Sequence, residues 1–122
     1  MRAWLVCGAV NGFVAVAAGA FGAHGLKKIL SPDMLEVFRT GAQYQMYHAL
    51  ALLALGLFAQ QRPSAWVDAS GYAMTTGIVL FSGSLYALAV TGVRPLGIIT
   101  PFGGLGFLAG WVLFAVAAWR TA

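Results

Sequence analysis

Four long apolar runs set the pattern of this chain, and its charges gather at their ends. No charged side chain interrupts Ala3–Leu26, Thr40–Gln61, Ala69–Val93 or Pro95–Trp119, and each run holds 22 residues or more. A helix rising 1.5 Å per residue needs about 20 apolar residues to cross a hydrocarbon layer about 30 Å thick. A soluble core helix does not stay apolar on all sides for that length. The pattern predicts an all-α integral membrane protein, a four-transmembrane-helix bundle with spans at about 4–23, 44–60, 69–92 and 101–119. At 122 residues the chain is read as one four-span membrane domain.

The breaks between runs carry their own signals. Glycines around His24 end the first span. Ser31–Pro32–Asp33 reads as an N-cap, a first helical proline and a first-turn acid. The helix it starts carries Met34, Leu35, Phe38 and Ala42 on one side, with Asp33, Glu36 and Arg39 elsewhere. It is expected as a short amphipathic interfacial helix over about 32–41, with Gly41 as the hinge into span two. Gln60 to Ser64 form the next turn, with Trp66 and Asp68 leading into span three. Thr100–Pro101 repeats the cap-and-proline start for span four. Arg2, the first apolar run and Ala15–Val16–Ala17 imitate a signal peptide. The run continues to Ala23, so a retained first span is expected.

Composition agrees with this reading. Hydrophobic residues make up 61% of the chain and charged residues 8%, against roughly 25% charged in soluble domains. The net charge of +4 does not mark a nucleic-acid surface, because its cations sit at span ends rather than on one face. No nucleic-acid partner is expected; the lipid bilayer is the partner. The lone Cys7 allows no intrachain disulfide and is expected as a small buried apolar residue.

Candidate chemistry concentrates in Gly41–His48, the most polar stretch touching an apolar run. At helical spacing Gly41, Tyr44, Gln45, His48 and Leu52 share a face, with His48 about one turn below the membrane surface. Thr75, Ser82 and Tyr86 share a face of span three, and Ser84 points elsewhere. With the N-terminus on side A, His24, Tyr44, His48, Tyr86 and Thr100 fall in the side B half, and with Gln43 and Ser82 they make a candidate polar cluster or ligand site. Gly8, Asn11, Gly12, Gly19, Gly106 and Gly110 are candidate helix-packing positions. The Gly8–Gly12 pair is of the G-x-x-x-G type that lets backbones approach, within one chain or between copies. Side A carries Arg2, Arg62 and Arg120, and side B carries Lys27, Lys28, Arg39 and Arg94. That difference of one sets no orientation.

The blocks GAFGAHGL (19–26), TGAQYQMYHAL (40–50), GIVLFSGSLYALAV (77–90) and ITPFGGLGFLAGW (99–111) occur in this order. Together they resemble the domain-of-unknown-function 423 family, small bacterial membrane proteins related to eukaryotic transmembrane protein 256. The resemblance implies four helices in a bacterial inner membrane with both termini cytoplasmic. It brings no reaction, substrate or cofactor.

Catalysis needs an acid–base pair, nucleophile or metal in mutual reach. The acids here are Asp33, Glu36 and Asp68, none inside a span. His24, His48, Met46 and Cys7 show none of the tight spacings of a metal site. No enzyme, cofactor or metal is therefore expected. The reading is a non-catalytic accessory, assembly or lipid-interacting membrane protein, with a homo-oligomer or a larger membrane complex as the partner of any outward glycine face. The alternative is a small transporter or channel-like protein handling a ligand at the side B cluster.

Overall fold

The computed structural model describes residues 2–120. Among them the elements are α1 (Ala3–His24), α2 (Pro32–Gln61), α3 (Ala65–Gly77), α4 (Gly83–Thr91) and α5 (Thr100–Arg120). A π-helical turn, Ile78–Ser82, joins α3 to α4, and 3-10 turns at Leu26–Lys28 and Arg94–Ile98 make the other connections.

Capping chemistry sets the boundaries. Ser31 accepts a hydrogen bond from the Met34 amide at 3.2 Å, and Pro32 fills the first position of α2. Ser64 does the same for α3 through the Val67 amide at 3.2 Å. Each cap satisfies an amide that the first helical turn leaves open. Gly92, in the left-handed conformation at φ 72°, closes α4.

Three expectations need correction here. α2 runs unbroken from Pro32 to Gln61, so the segment 32–41 is its first turns and not a separate helix. Gly41 is no hinge: it is buried in mid-helix, and a Cβ there would lie 3.0 Å from the Tyr86 ring. The third helical stretch starts at Ala65, earlier than 69, because the Ser64 cap nucleates it before the charge-free run begins.

The helices alternate in direction, as close glycine contacts record. Gly56 meets Leu5, Gly8 meets the Ala49 and Leu53 backbone, and Gly22 lies under Phe38, so α1 and α2 are antiparallel. Gly71 lies under the Trp4 ring, Gly110 under Met74, and Gly103 against the backbone of Phe81. These set α3–α4 antiparallel to α5, with the α3 start beside the α1 start. At the same end Arg120 stacks over Trp66, 5.5 Å from its ring centre. The main core joins Trp4, Leu52, Leu55, Val67, Met74, Ile78 and Phe107, and a smaller one joins Leu26, Leu35, Phe38 and Ala89.

Among the described residues three stretches, Ala3–Lys28, Ala65–Thr91 and Arg94–Arg120, are long and apolar enough to cross a membrane. α2 differs because Gln43, Gln45 and His48 dilute its apolar run. It also has more buried positions than any other helix. Of these three polar residues, Gln45 and His48 are buried and met by partners inside the bundle, whereas Gln43 is exposed and pairs with Tyr47.

Candidate functional site

Two separate polar groups lie on α2, three residues apart. The first centres on Gln45, which is buried. Its amide nitrogen donates to Asn11 Oδ1 at 2.9 Å, and its carbonyl oxygen accepts from the Tyr86 hydroxyl at 2.7 Å. Asn11 in turn donates to the Cys7 carbonyl at 2.9 Å, and Cys7 Sγ lies 3.4 Å from Thr75 Oγ1. The group ties α1, α2, α3 and α4 together. A buried amide left open would cost several kcal/mol in hydrocarbon; here both ends of Gln45 are used. Ser82 adds a further tie, donating to the Gly41 carbonyl at 2.7 Å.

The second group centres on His48. Its Nδ1 lies 2.8 Å from the Tyr44 carbonyl, and its Nε2 lies 3.1 Å from the Trp111 indole nitrogen. A carbonyl can only accept and an indole N–H can only donate. The partners therefore fix the neutral tautomer, with the proton on Nδ1. Phe107 stacks on the imidazole at 3.6 Å and 7° between planes. Phe81 continues the aromatic layer to Tyr44, with ring centres 4.8 Å apart.

A groove of about 400 Å³ opens over this second group, between α2 and α5. His48, Phe107 and Trp111 form one part of its wall, and Tyr44, Pro101 and Leu108 another. Leu105, Leu108 and Trp111 are largely exposed, so the groove faces outward. Gly104 contributes no side chain, and a Cβ there would meet nothing within 4 Å.

The sequence candidates thus divide. Tyr44 and His48 share the groove; Tyr86 and Ser82 point to the α1–α2 side. Thr100 pairs with Ser84 at 2.6 Å near the start of α5. Gln43 is exposed and hydrogen-bonded to Tyr47, and His24 is exposed at the end of α1. Gln45 pairs with Asn11 and Ala49 packs beside Gly12, so His48 sits near the middle of α1's length. Gly8, Gly106 and Gly110 are in close contact within the chain, whereas Gly12 is only loosely approached and Gly19 meets nothing within 4 Å. Sequence reasoning passed over Gln45 as a site residue and Trp111 altogether. The signal for the latter was the Phe107–Trp111 pair, four residues apart on one face of α5.

Outside the bundle Val6, Phe13, Leu57, Phe102, Leu108 and Val112 are more than half exposed. Polar groups turned inward and large apolar ones outward define an integral membrane protein. The chain belongs to the family described as Protein of unknown function (DUF423), which matches residues 18–104. It is 46% identical over 119 residues to UPF0382 membrane protein YwdK of Bacillus subtilis (strain 168), covering 97% of each chain. It is 45% identical over 119 residues to UPF0382 inner membrane protein YgdD of Escherichia coli (strain K12), covering 98% of this chain and 91% of that one. UPF0382 membrane protein SSP2132 of Staphylococcus saprophyticus is 44% identical over 120 residues, with 98% and 99% covered. No solved structure matches the chain. The membrane location expected from the sequence agrees with all three names, and the inner membrane with that of the Escherichia coli relative.

Proposed function

We propose that the chain is a four-span, non-catalytic membrane protein that holds a lipid chain in the groove between α2 and α5. One observation carries this: an outward, apolar groove of about 400 Å³ whose wall includes a hydrogen-bonded His48–Trp111 pair. An acyl or isoprenoid chain along α5 would cover that pair and keep water from it. The Tyr44 hydroxyl, with no hydrogen bond among the described residues, is available to the chain's polar end.

The span count rests on register. α2 runs beside α1 from Gly56 at Leu5 to Phe38 at Gly22, so 38–56 shares the depth of α1. At 30 residues α2 is about 45 Å long, beyond the roughly 30 Å of hydrocarbon. Its first turns, 32–37, would then stand in the headgroup layer of side B. With both termini cytoplasmic, that layer is the outer one.

Engagement of both His48 nitrogens favours a structural imidazole over an acid–base one. Intrachain contact at Gly8, Gly106 and Gly110 favours lipid contact over assembly through glycine faces. The polar chain from Asn11 to Tyr86 is satisfied internally, which favours bracing over a transport path.

Photo-crosslinking with a phospholipid bearing a diazirine on its acyl chain tests the reading. Labelled peptides should map to Tyr44, Pro101, Leu105, Leu108 and Trp111 above the exposed face of α1. Uniform labelling of all outward faces would overturn it.

A further inference from the structure

We infer a second lipid contact, a headgroup site for a zwitterionic phospholipid bearing a primary ammonium beyond its phosphodiester. It lies between the start of α2 and the end of α4. Ser31, Asp33, Met34, Leu88, Gly92 and Arg94 line a cavity of about 370 Å³ there. An acid and a cation thus share one concave surface, yet neither side chain is hydrogen-bonded or ion-paired among the described residues.

The inference rests on the four-span reading, which sets this cavity at headgroup depth. Gly22 on Phe38 marks the level where α1 nears its end, and Asp33 lies five residues beyond Phe38, about 7 Å along the axis. Arg94 stands two residues after the left-handed Gly92 that ends α4, with Val93 between them.

The two charges match a phosphoethanolamine group end for end. The Arg94 guanidinium offers a fork of donors suited to phosphate oxygens. Asp33 accepts charge-assisted hydrogen bonds from an ammonium. Ser31 Oγ accepts from the Met34 amide, leaving its own proton free to donate to a phosphate oxygen. Met34 and Leu88 give the lining an apolar part beside the glycerol end. A trimethylammonium has no N–H to donate to Asp33, and a glycerol headgroup has no positive charge for it. Each charge also offsets the dipole of its own helix end. That role predicts a change in helix stability on substitution and no change in lipid preference.

The test uses the full chain in nanodiscs holding equal parts of phosphatidylethanolamine, phosphatidylcholine and phosphatidylglycerol with identical acyl chains. Lipids retained on release are read by native mass spectrometry. Wild type should retain phosphatidylethanolamine severalfold over the other two. Asp33→Asn should abolish the preference over phosphatidylglycerol, and Arg94→Gln should lower retention of all phosphate headgroups. Circular dichroism should stay helical in both, since both positions are exposed. Equal retention of the three lipids by wild type overturns the site, as does a preference unchanged in Asp33→Asn. Gly104→Leu, which fills the groove, separates the two proposals. Retention lost in that variant without any headgroup preference in wild type keeps the groove and removes this site. A preference lost only in Asp33→Asn, with Gly104→Leu like wild type, keeps this site and removes the groove.

Discussion

The indole of Trp111 donates to His48 Nε2 across 3.1 Å, joining an exposed residue of α5 to a buried one of α2. Trp111→Phe keeps an aromatic ring and removes the donor. The imidazole nitrogen then sits in an apolar wall without a partner, at a cost of about 1–3 kcal/mol. Thermal melting in detergent should show Trp111→Phe well below wild type and Trp119→Phe, at an 83% exposed position, close to it. Equal shifts for the two would count against the pair.

Tyr86→Phe removes one of the two side-chain bonds of Gln45, and Gln45→Leu removes both while leaving Asn11 Oδ1 and the Tyr86 hydroxyl open. Interhelical hydrogen bonds in membranes contribute on average about 0.6 kcal/mol and at most about 1.7. Denaturation in mixed micelles should therefore give about 1 kcal/mol for Tyr86→Phe and a clearly larger loss for Gln45→Leu. A milder effect from Gln45→Leu would remove the amide as the centre of that network.

The His48 and Gln45 groups share no hydrogen-bond partner, so their losses should add. Trp111→Phe combined with Tyr86→Phe is expected within about 0.5 kcal/mol of the sum of the single changes. A coupling well above that would merge the two into a single cluster.

Gly103 and Gly104 are neighbours with opposite surroundings. A Cβ at Gly103 would lie 2.2 Å from the Phe81 amide nitrogen, against backbone at the π-helical turn; at Gly104 it would meet nothing within 4 Å. Gly103→Ala must push α5 off that turn, and overpacking of this kind costs about 1–3 kcal/mol or more. Gly104→Ala should be neutral or slightly stabilising, since alanine favours a helix interior by about 1 kcal/mol over glycine. Melting curves of the two variants check this contrast, and a reversed order would refute the packing described.

Much of this was legible in the chain, for identifiable reasons. The ends of α1 and α5 follow from charge-free runs and from Thr100–Pro101. Ser82 and Tyr86, four residues apart, both reach α2 as their spacing suggests, whereas the π-helical turn between Thr75 and Ser82 breaks the period and Thr75 meets Cys7 on α1. Gln45 stood on the right face, but its partners on α1 and α4 depend on the register between helices, which no local pattern encodes. Reading 32–41 as separate took its charges for a surface helix; buried Leu35, Phe38 and Gly41 instead hold it in line with the rest of α2. The π-helical turn left no mark either, since Ile78–Ser82 has no residue unusual for an α-helix. It lies where the Gly103 backbone approaches most closely. The polar stretch before His48 looks like a membrane surface in the sequence, whereas Gln45 and His48 are buried beside the middle of α1.

The most direct test of the account compares lipid retained by wild type, Gly104→Leu and Gly83→Leu in native mass spectrometry from one lipid of uniform chain length. Both glycines have open space at Cβ, but only Gly104 lines the groove. The account predicts that Gly104→Leu loses a tightly held lipid that wild type and Gly83→Leu keep. Identical retention by all three would contradict it.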